Sequence, residues 1–307
     1  MNSGNYIGDT IVAIITPPGT GGVGIIRISG PIADEIGQKI IGALPEPRYA
    51  SLRSFKDHNG DVVDSGIAIW FPESHSYTGE PVLELQGHGG VAVMGLILDA
   101  AQNFGARIAD PGEFSKRAFL NGKLDLIQAE AVADLINSNS KQAAKASYRT
   151  LVGDFSKRVN QILEQLTHLR IQLEASIDFP EEEIDIEAKN PALENKMQAC
   201  IKSYNNLLRE ASNGNVLKNG IQVVIAGEPN VGKSSLLNLL SGDDVAIVSD
   251  MPGTTRDVLR QNLEIAGLRI ELIDTAGIRE GLDSIEQEGI RRAKDVLEKS
   301  DVLLWVV

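Results

Sequence analysis

The sequence predicts a multi-domain α/β protein whose last part is a P-loop nucleotide domain, and three observations carry that expectation. Gly227-Glu228-Pro229-Asn230-Val231-Gly232-Lys233-Ser234 satisfies the phosphate-cradling pattern G-x-x-x-x-G-K-[ST] between a strand-like and a helical run. Asp274-Thr275-Ala276-Gly277 follows 40 residues after Ser234, at the end of a strand-like run of its own. A chain of 307 residues is too long for one ordinary core, and its periodicity changes from strand-and-turn to helix and then to alternating α and β.

Residues 1–118 mix strands, glycine-rich turns and two helices. Ile11–Ile15, Gly24–Ile28 and Val82–Gln86 read as strands, Pro31 opens a helix to about Leu44, and Val91–Phe104 has helical spacing. Gly19-Thr20-Gly21-Gly22-Val23-Gly24 matches G-x-G-x-x-G, but a dinucleotide fingerprint must open a helix, and here Ile25–Ile28 continues as strand. From Phe119 to Ser176 there is hardly a breaker. Leu124, Ile127, Ala131 and Leu135, then Leu163, Leu166, Leu169 and Leu173, recur at three- and four-residue spacing and predict long amphipathic helices with Gly153 as the weak point. The acidic run 180–187 reads as a solvated linker, and a further helix is expected from about Ala192 to Ser212, before Asn213-Gly214-Asn215. Ile221–Ala226 is the strand that leads into the P-loop. Asp257–Ile265 and Leu268–Ile273 form a hairpin around Ala266-Gly267. A helix from about Ser284 to Lys299 and a buried strand from Asp301 complete the reading. With only this much sheet the base pocket cannot close, so the 307 residues are expected to be part of a longer protein.

Composition bounds the function. The hydrophobic share of 42% and charged share of 23% are those of an ordinary globular protein. No apolar run reaches membrane-spanning length and no signal-peptide layout opens the chain, so a cytoplasmic protein without a membrane partner is expected. One cysteine, Cys200, excludes an internal disulfide framework and reads as a structural thiol, and His58, His75, His88 and His168 have no metal-ligand spacing. A net charge of −13 argues against a broad basic surface, so any RNA contact must be local. Lys141, Lys145 and Arg149, at four-residue intervals, form a candidate basic stripe that can equally be a solvated helix face.

The chemistry of a nucleoside triphosphatase follows from the two phosphate motifs. Gly227 and Gly232 allow the tight path whose N–H groups face phosphate, Lys233 reaches the β/γ-phosphates, and the Ser234 hydroxyl is a Mg²⁺ ligand. Thr254-Thr255-Arg256-Asp257 lies between the motifs, where a threonine can place its hydroxyl on Mg²⁺ and order a switch loop. Asp274 holds Mg²⁺ through water and the Gly277 N–H meets the γ-phosphate. Many small GTPases carry a water-orienting glutamine at the position of Ile278, whose side chain can neither donate nor accept a hydrogen bond. Either a partner supplies the missing groups, or a cation and a more distant carboxylate do. Glu280, Glu286 and Glu288 are the candidate carboxylates, and Asn230 offers an amide oxygen near the β/γ-bridge for a monovalent cation.

These runs resemble the tRNA-modification GTPase family known as MnmE or TrmE. Gly227–Ser234, Gly253-Thr254-Thr255-Arg256-Asp257 and Asp274–Glu280 are similar to its G domain. Thr16–Gly30 resembles its N-terminus, Leu83–Gly90 its folate-binding domain and Pro111–Leu126 its domain junction. The resemblance implies an α+β folate-binding and dimerisation domain at 1–118, a helical domain beginning at 119–216, and a Ras-like P-loop G domain inserted in it, incomplete over 217–307. It implies a GTPase that acts with the FAD-dependent partner MnmG on C5 of wobble uridine 34 in tRNA. The product would be a carboxymethylaminomethyl or aminomethyl group, with a 5-formyltetrahydrofolate-type donor.

Arg27, Glu84 and Lys123 would bind the folate. Asn230, Val231, Gly232, Lys233, Ser234, Ser235, Ser249, Thr254, Thr255, Asp274, Thr275, Ala276 and Gly277 would bind GTP, and Lys233, Thr255 and Glu286 would be catalytic. Ser234 and Thr255 would hold Mg²⁺. Asn230, Ser249, Met251 and Thr254 would hold K⁺ as two G domains of a homodimer meet, and Arg256 and Arg279 would support the switch regions. Two family features are absent from the chain: the guanine-reading Asn-Lys-x-Asp run after the last strand and the C-terminal cysteine motif. Asn195-Lys196-Met197-Gln198 precedes the P-loop and cannot replace the former. The alternative is a regulatory switch on RNA or the ribosome, as in assembly GTPases of the Era and Der type, which lack a segment like residues 1–123.

Overall fold

The computed structural model of the protein describes residues 8–178, 191–227, 231–232, 235–236, 239, 260–265, 268–274 and 300–307. The chain divides into two compact units, Met1–Ala129 and Glu130–Val307.

The first unit is built on a six-stranded sheet of β1 (Ile11–Ile14), β2 (Gly21–Ser29), β3 (Ser51–Lys56), β4 (Val62–Phe71), β5 (Val82–Gly89) and β6 (Arg107–Ile108). Their order is β3-β4-β5-β2-β1-β6, antiparallel throughout except for β1 beside β6. The strands alternate as a half-covered sheet requires: Ile26 and Ile28 on β2 and Leu83 and Leu85 on β5 are buried, while Arg27, Glu84 and Gln86 between them are not. The buried face packs on α1 (Ala33–Ile41) and α2 (Val91–Asn103) through Ile36, Ile40, Met94 and Ile97, with Phe55 in the same core. A third helix, α3 (Glu113–Leu120), adds to the two expected in this part. The G-x-G-x-x-G glycines do not open a helix, because β2 is one strand from Gly21 to Ser29.

Helix α4 (Leu126–Ile136) begins in the first unit and ends in the second, where α5 (Lys141–Leu151), α6 (Asp154–Asp178) and α7 (Pro191–Asn219) follow. The long helical stretch is therefore broken not only at Gly153 but also at Asn121–Asp125, which holds Leu124 of the expected stripe, and at Asn137–Ser140. At the latter break the Ser140 hydroxyl accepts the Ala143 N–H at 3.1 Å, the local hydrogen bond that makes serine a helix start rather than a helix interior. Helix α7 runs on to Asn219 instead of ending near Ser212. An internal Gly214 costs only about 1 kcal/mol, and the helix stops where Gly220 takes φ +78°. Helices α6 and α7 pack through Ile162, Leu169 and Cys200. Of the predicted α6 stripe, Leu169 is buried, whereas Leu163, Leu166 and Leu173 are exposed.

The second unit also holds a four-stranded sheet of β7 (Ile221–Gly227), β8 (Arg260–Ile265), β9 (Leu268–Asp274) and β10 (Val302–Val306), in the order β10-β7-β9-β8. Strands β7, β9 and β10 are parallel, and β8 joins the edge antiparallel to β9. Val223, Val224 and Ile225 are buried, as an apolar run covered on both faces must be. The last strand was expected to be buried, yet Leu303, Leu304 and Trp305 are exposed. The Ala266-Gly267 turn and the Ser284–Lys299 helix lie outside the described residues.

Candidate functional site

The phosphate motif sits where the strand order reverses. β7 leaves the sheet at Gly227 with β9 on one side and β10 on the other, and all three point their C-terminal ends the same way. In open α/β sheets that crevice receives the ligand. The register pairs Ile225 with Asp274 and Gly227 with Val306, so the Asp274 backbone lies beside the last turn of chain before the loop. Gly232 takes φ +99°, a conformation that suits glycine, and its carbonyl accepts the Leu236 N–H at 2.9 Å. Ser235 and Leu236 are helical. Strand, loop and helix thus follow one another as phosphate binding at a helix N-terminus needs.

Of the sequence-predicted nucleotide residues, Val231, Gly232, Ser235 and Asp274 are described. Asn230, Lys233, Ser234, Ser249, Met251, Thr254, Thr255, Thr275, Ala276, Gly277 and Glu286 lie outside the described residues.

A second constellation forms on the open sheet face of the first unit. Arg27 and Glu84 are cross-strand partners on β2 and β5. Arg27 donates from Nε and Nη2 to the same Glu84 oxygen, at 2.8 and 2.7 Å. Its guanidinium also stacks near two rings, 5.2 Å from the Tyr77 centroid and 5.4 Å from that of Phe114. Tyr77 and Ser115 share a hydroxyl hydrogen bond of 2.8 Å. Lys123 Nζ donates to the Ser74 carbonyl at 2.9 Å. Arg27 and Lys123 therefore both meet the 72–80 segment, and Glu84 joins them through Arg27.

Helix α3 also carries an ion network that the sequence reading did not single out. Arg117, 2% exposed, donates to Asp9 Oδ1 at 2.7 Å, to Glu113 Oε1 at 3.0 Å and to Glu80 at 3.1 Å. Glu113, also 2% exposed, further accepts from Arg107 Nη2 at 2.7 Å and from the Asp110 N–H at 2.8 Å. Burial alone would raise the Glu113 carboxyl, but bonds from Arg107, the Asp110 N–H and Arg117 outweigh it and hold the pKa at about 2. The network anchors α3 and so fixes Phe114 and Ser115 against Arg27 and Tyr77. The i,i+4 spacing of Glu113 and Arg117 within Pro111–Leu126 was the available signal.

A second unforeseen pair is Asp64 with His88. The β3–β4 register shifts between Phe55 and Lys56, which pair with Asp64 and Val62, so Val63 of β4 is the extra residue beside Asp64. One Asp64 oxygen accepts the His88 N–H at 2.8 Å, and the other meets His88 Nδ1 at 2.7 Å. Burial opposes ionisation of Asp64, but these bonds hold its pKa below the usual carboxylate range. Among the described residues no cluster of three or more His, Cys, Asp and Glu side chains could hold a metal, and no helix is long and apolar enough to cross a membrane.

Residues 10–123 match the family model described as "GTP-binding protein TrmE N-terminus", and residues 126–303 that of the "MnmE helical domain". The chain is 54% identical over 299 residues to the tRNA modification GTPase MnmE of Nitrosomonas europaea, 53% to that of Saccharophagus degradans and 52% to that of Nitrosomonas eutropha. Each alignment covers 97% of this chain and 65–66% of the relative, so the chain spans just under two thirds of their length. Among solved structures, the G domain of the T. maritima FeoB iron transporter matches 28% of this chain and 54% of its own, at 29% identity and a TM-score of 0.21. Family models spanning both units and relatives at this identity leave one assignment: the chain belongs to the MnmE (TrmE) family.

Proposed function

We propose that this chain belongs to a GTP-hydrolysing tRNA-modification enzyme, with a folate site in its first unit and a GTP site in its second. The observation that carries the reading is the parallel register of β7, β9 and β10. It gathers the start of the phosphate loop and Asp274 at one end of the sheet, in a chain whose relatives are named tRNA modification GTPases. The companion segment at 10–123 favours modification over a ribosome-assembly switch.

In this reading Lys233 and the loop N–H groups hold the β/γ-phosphates, Thr255 closes over the γ-phosphate, and Glu286 orients the attacking water through a second water. Ser234 and Thr255 supply hard oxygen donors suited to Mg²⁺. Asn230, Ser249, Met251 and Thr254 supply amide, carbonyl and hydroxyl oxygens suited to K⁺. Cations held by these residues would supply the positive charge at the phosphates that other GTPases take from an arginine. Glutamine is absent at Ile278, so water alignment falls to the more distant carboxylate.

At the folate site Arg27 leaves Nη1, and Glu84 leaves Oε2, without a hydrogen bond among the described residues. A pterin N–H can add to that free oxygen, and the Arg27 and Lys123 cations suit the glutamate tail of a tetrahydrofolate. The one-carbon unit would pass to C5 of wobble uridine 34 with an MnmG-type FAD partner, in a cytoplasmic homodimer.

Full-length protein tests both halves. GTP turnover rises steeply when K⁺ replaces Na⁺, and Asn230→Ala removes the difference; equal rates for the unaltered protein in both salts would refute the cation assignment. Calorimetry with 5-formyltetrahydrofolate gives at least about tenfold weaker binding for Arg27→Ala, the loss of one charge-assisted contact. Unchanged binding would remove Arg27 from the site.

A further inference from the structure

We propose that the exposed face of α5, formed by Lys141, Lys145, Tyr148 and Arg149, docks the sugar-phosphate backbone of an RNA strand. The inference rests on the tRNA reading above and names a surface of this chain that would meet the RNA.

Helix α5 turns Ala143 inward, with Ala146, Ser147 and Thr150 half-buried, and leaves Lys141, Lys145, Tyr148 and Arg149 exposed. None of the three cations pairs with a carboxylate among the described residues. On α6, by contrast, Lys157, Arg158 and Arg170 face Asp154, Glu210 and Glu174. From Asn137 to Gly153 the chain carries no Asp or Glu, although its net charge is −13. Among the described helices, α5 alone has no acidic residue.

That arrangement is unfavourable for the helix itself. Like charges at i,i+4 repel, and Lys141 begins the helix at its positive end, where the backbone dipole favours an anion. A helix face selected only for solubility would mix signs. Local choices that oppose the stability of their own element mark functional positions.

The row fits a polyanion. Lysine, lysine and arginine rise in steps of about 6 Å along a straight helix, on the scale of the spacing between neighbouring phosphates. Tyr148 stands on the same face, 58% exposed, where its ring can stack on an unpaired base. An aromatic ring set among unpaired cations suits single-stranded or loop RNA better than an acidic protein helix. Such a local strip also reconciles nucleic-acid contact with a strongly acidic chain.

The test uses full-length protein and an unmodified tRNA transcript, with binding followed by fluorescence anisotropy over a salt series, alone and with the FAD-containing partner. The variant K141Q/K145Q/R149Q binds tRNA at least about tenfold more weakly at low salt. Its slope of log affinity against log salt is less negative by about 2, as for three lost contacts to a single strand. Tyr148→Ala weakens binding and leaves the slope unchanged. Basal GTP turnover and helical content stay at the level of the unaltered protein in both variants.

Equal affinity and slope in the triple variant overturn the proposal. So does retained tRNA binding with lost association to the partner, which would assign the face to a protein. If the unaltered protein shows no tRNA affinity with or without its partner, this inference and the tRNA half of the proposed function fall together. Normal tRNA binding by both proteins removes only the α5 assignment.

Discussion

Glu113 shows how far one side chain can tie a region together. Its carboxylate gathers Arg107, Arg117 and the Asp110 N–H in nearly complete burial, and its pKa of about 2 lies well below the 4.5 of an ordinary glutamate. Because the folded-state value is depressed, the stabilisation is fully present above pH 4.5 and is lost as the pH falls from there through 2. A displacement of that size corresponds to about 3 kcal/mol. Thermal melting between pH 6 and pH 3 is expected to show a falling midpoint. Glu113→Gln should lower stability at pH 7 and flatten that dependence; an equally steep profile in the variant would remove Glu113 as its source. The i,i+4 pair was visible in the sequence. Its burial was not, because Asp9 and Glu80 reach it from sites 108 and 37 residues from Arg117.

At the scale of elements, close backbone approach decides what periodicity cannot. Gly66 on β4 lies so near β5 that an added Cβ would stand 2.1 Å from the Gln86 carbonyl oxygen. Gly66→Ala must therefore part the two strands, at a cost of roughly 2–3 kcal/mol. Gly22, with no heavy atom within 4 Å of such a Cβ, is the matched control. Urea denaturation should move its midpoint down for Gly66→Ala and not for Gly22→Ala; equal midpoints would contradict the steric argument. The same strand pair seats Asp64 under His88, in a region where the sequence reading named no element between Leu44 and Val82. Its strands, β3 and β4, carry exposed residues such as Leu52, Val62 and Ile67, which blur the alternation used to recognise a half-buried strand. Helix boundaries erred for a simpler reason. A lone Gly214 weakens a helix without ending it, whereas Ser140 and Gly220 satisfy or free the terminal backbone groups.

For the molecule as a whole, the first unit holds a core of its own, with Val12, Ile26, Ile28, Leu83, Leu85 and Phe55 packed on α1 and α2. Residues 1–129 expressed alone should therefore unfold in a single cooperative thermal transition. Absence of a transition would show that this core depends on the rest of the chain. The P-loop, the Asp274 motif, the glutamine-less Ile278 and the multi-domain α/β class were determined by sequence alone. Each is a local pattern whose chemistry follows from residue type and spacing. Tertiary structure decided what lies far apart along the chain. It paired Arg27 with Glu84 under Tyr77 and Phe114, buried Arg117 among three carboxylates, and aligned the ends of β7, β9 and β10. Those contacts depend on strand register and burial, which arise only when separate segments pack together.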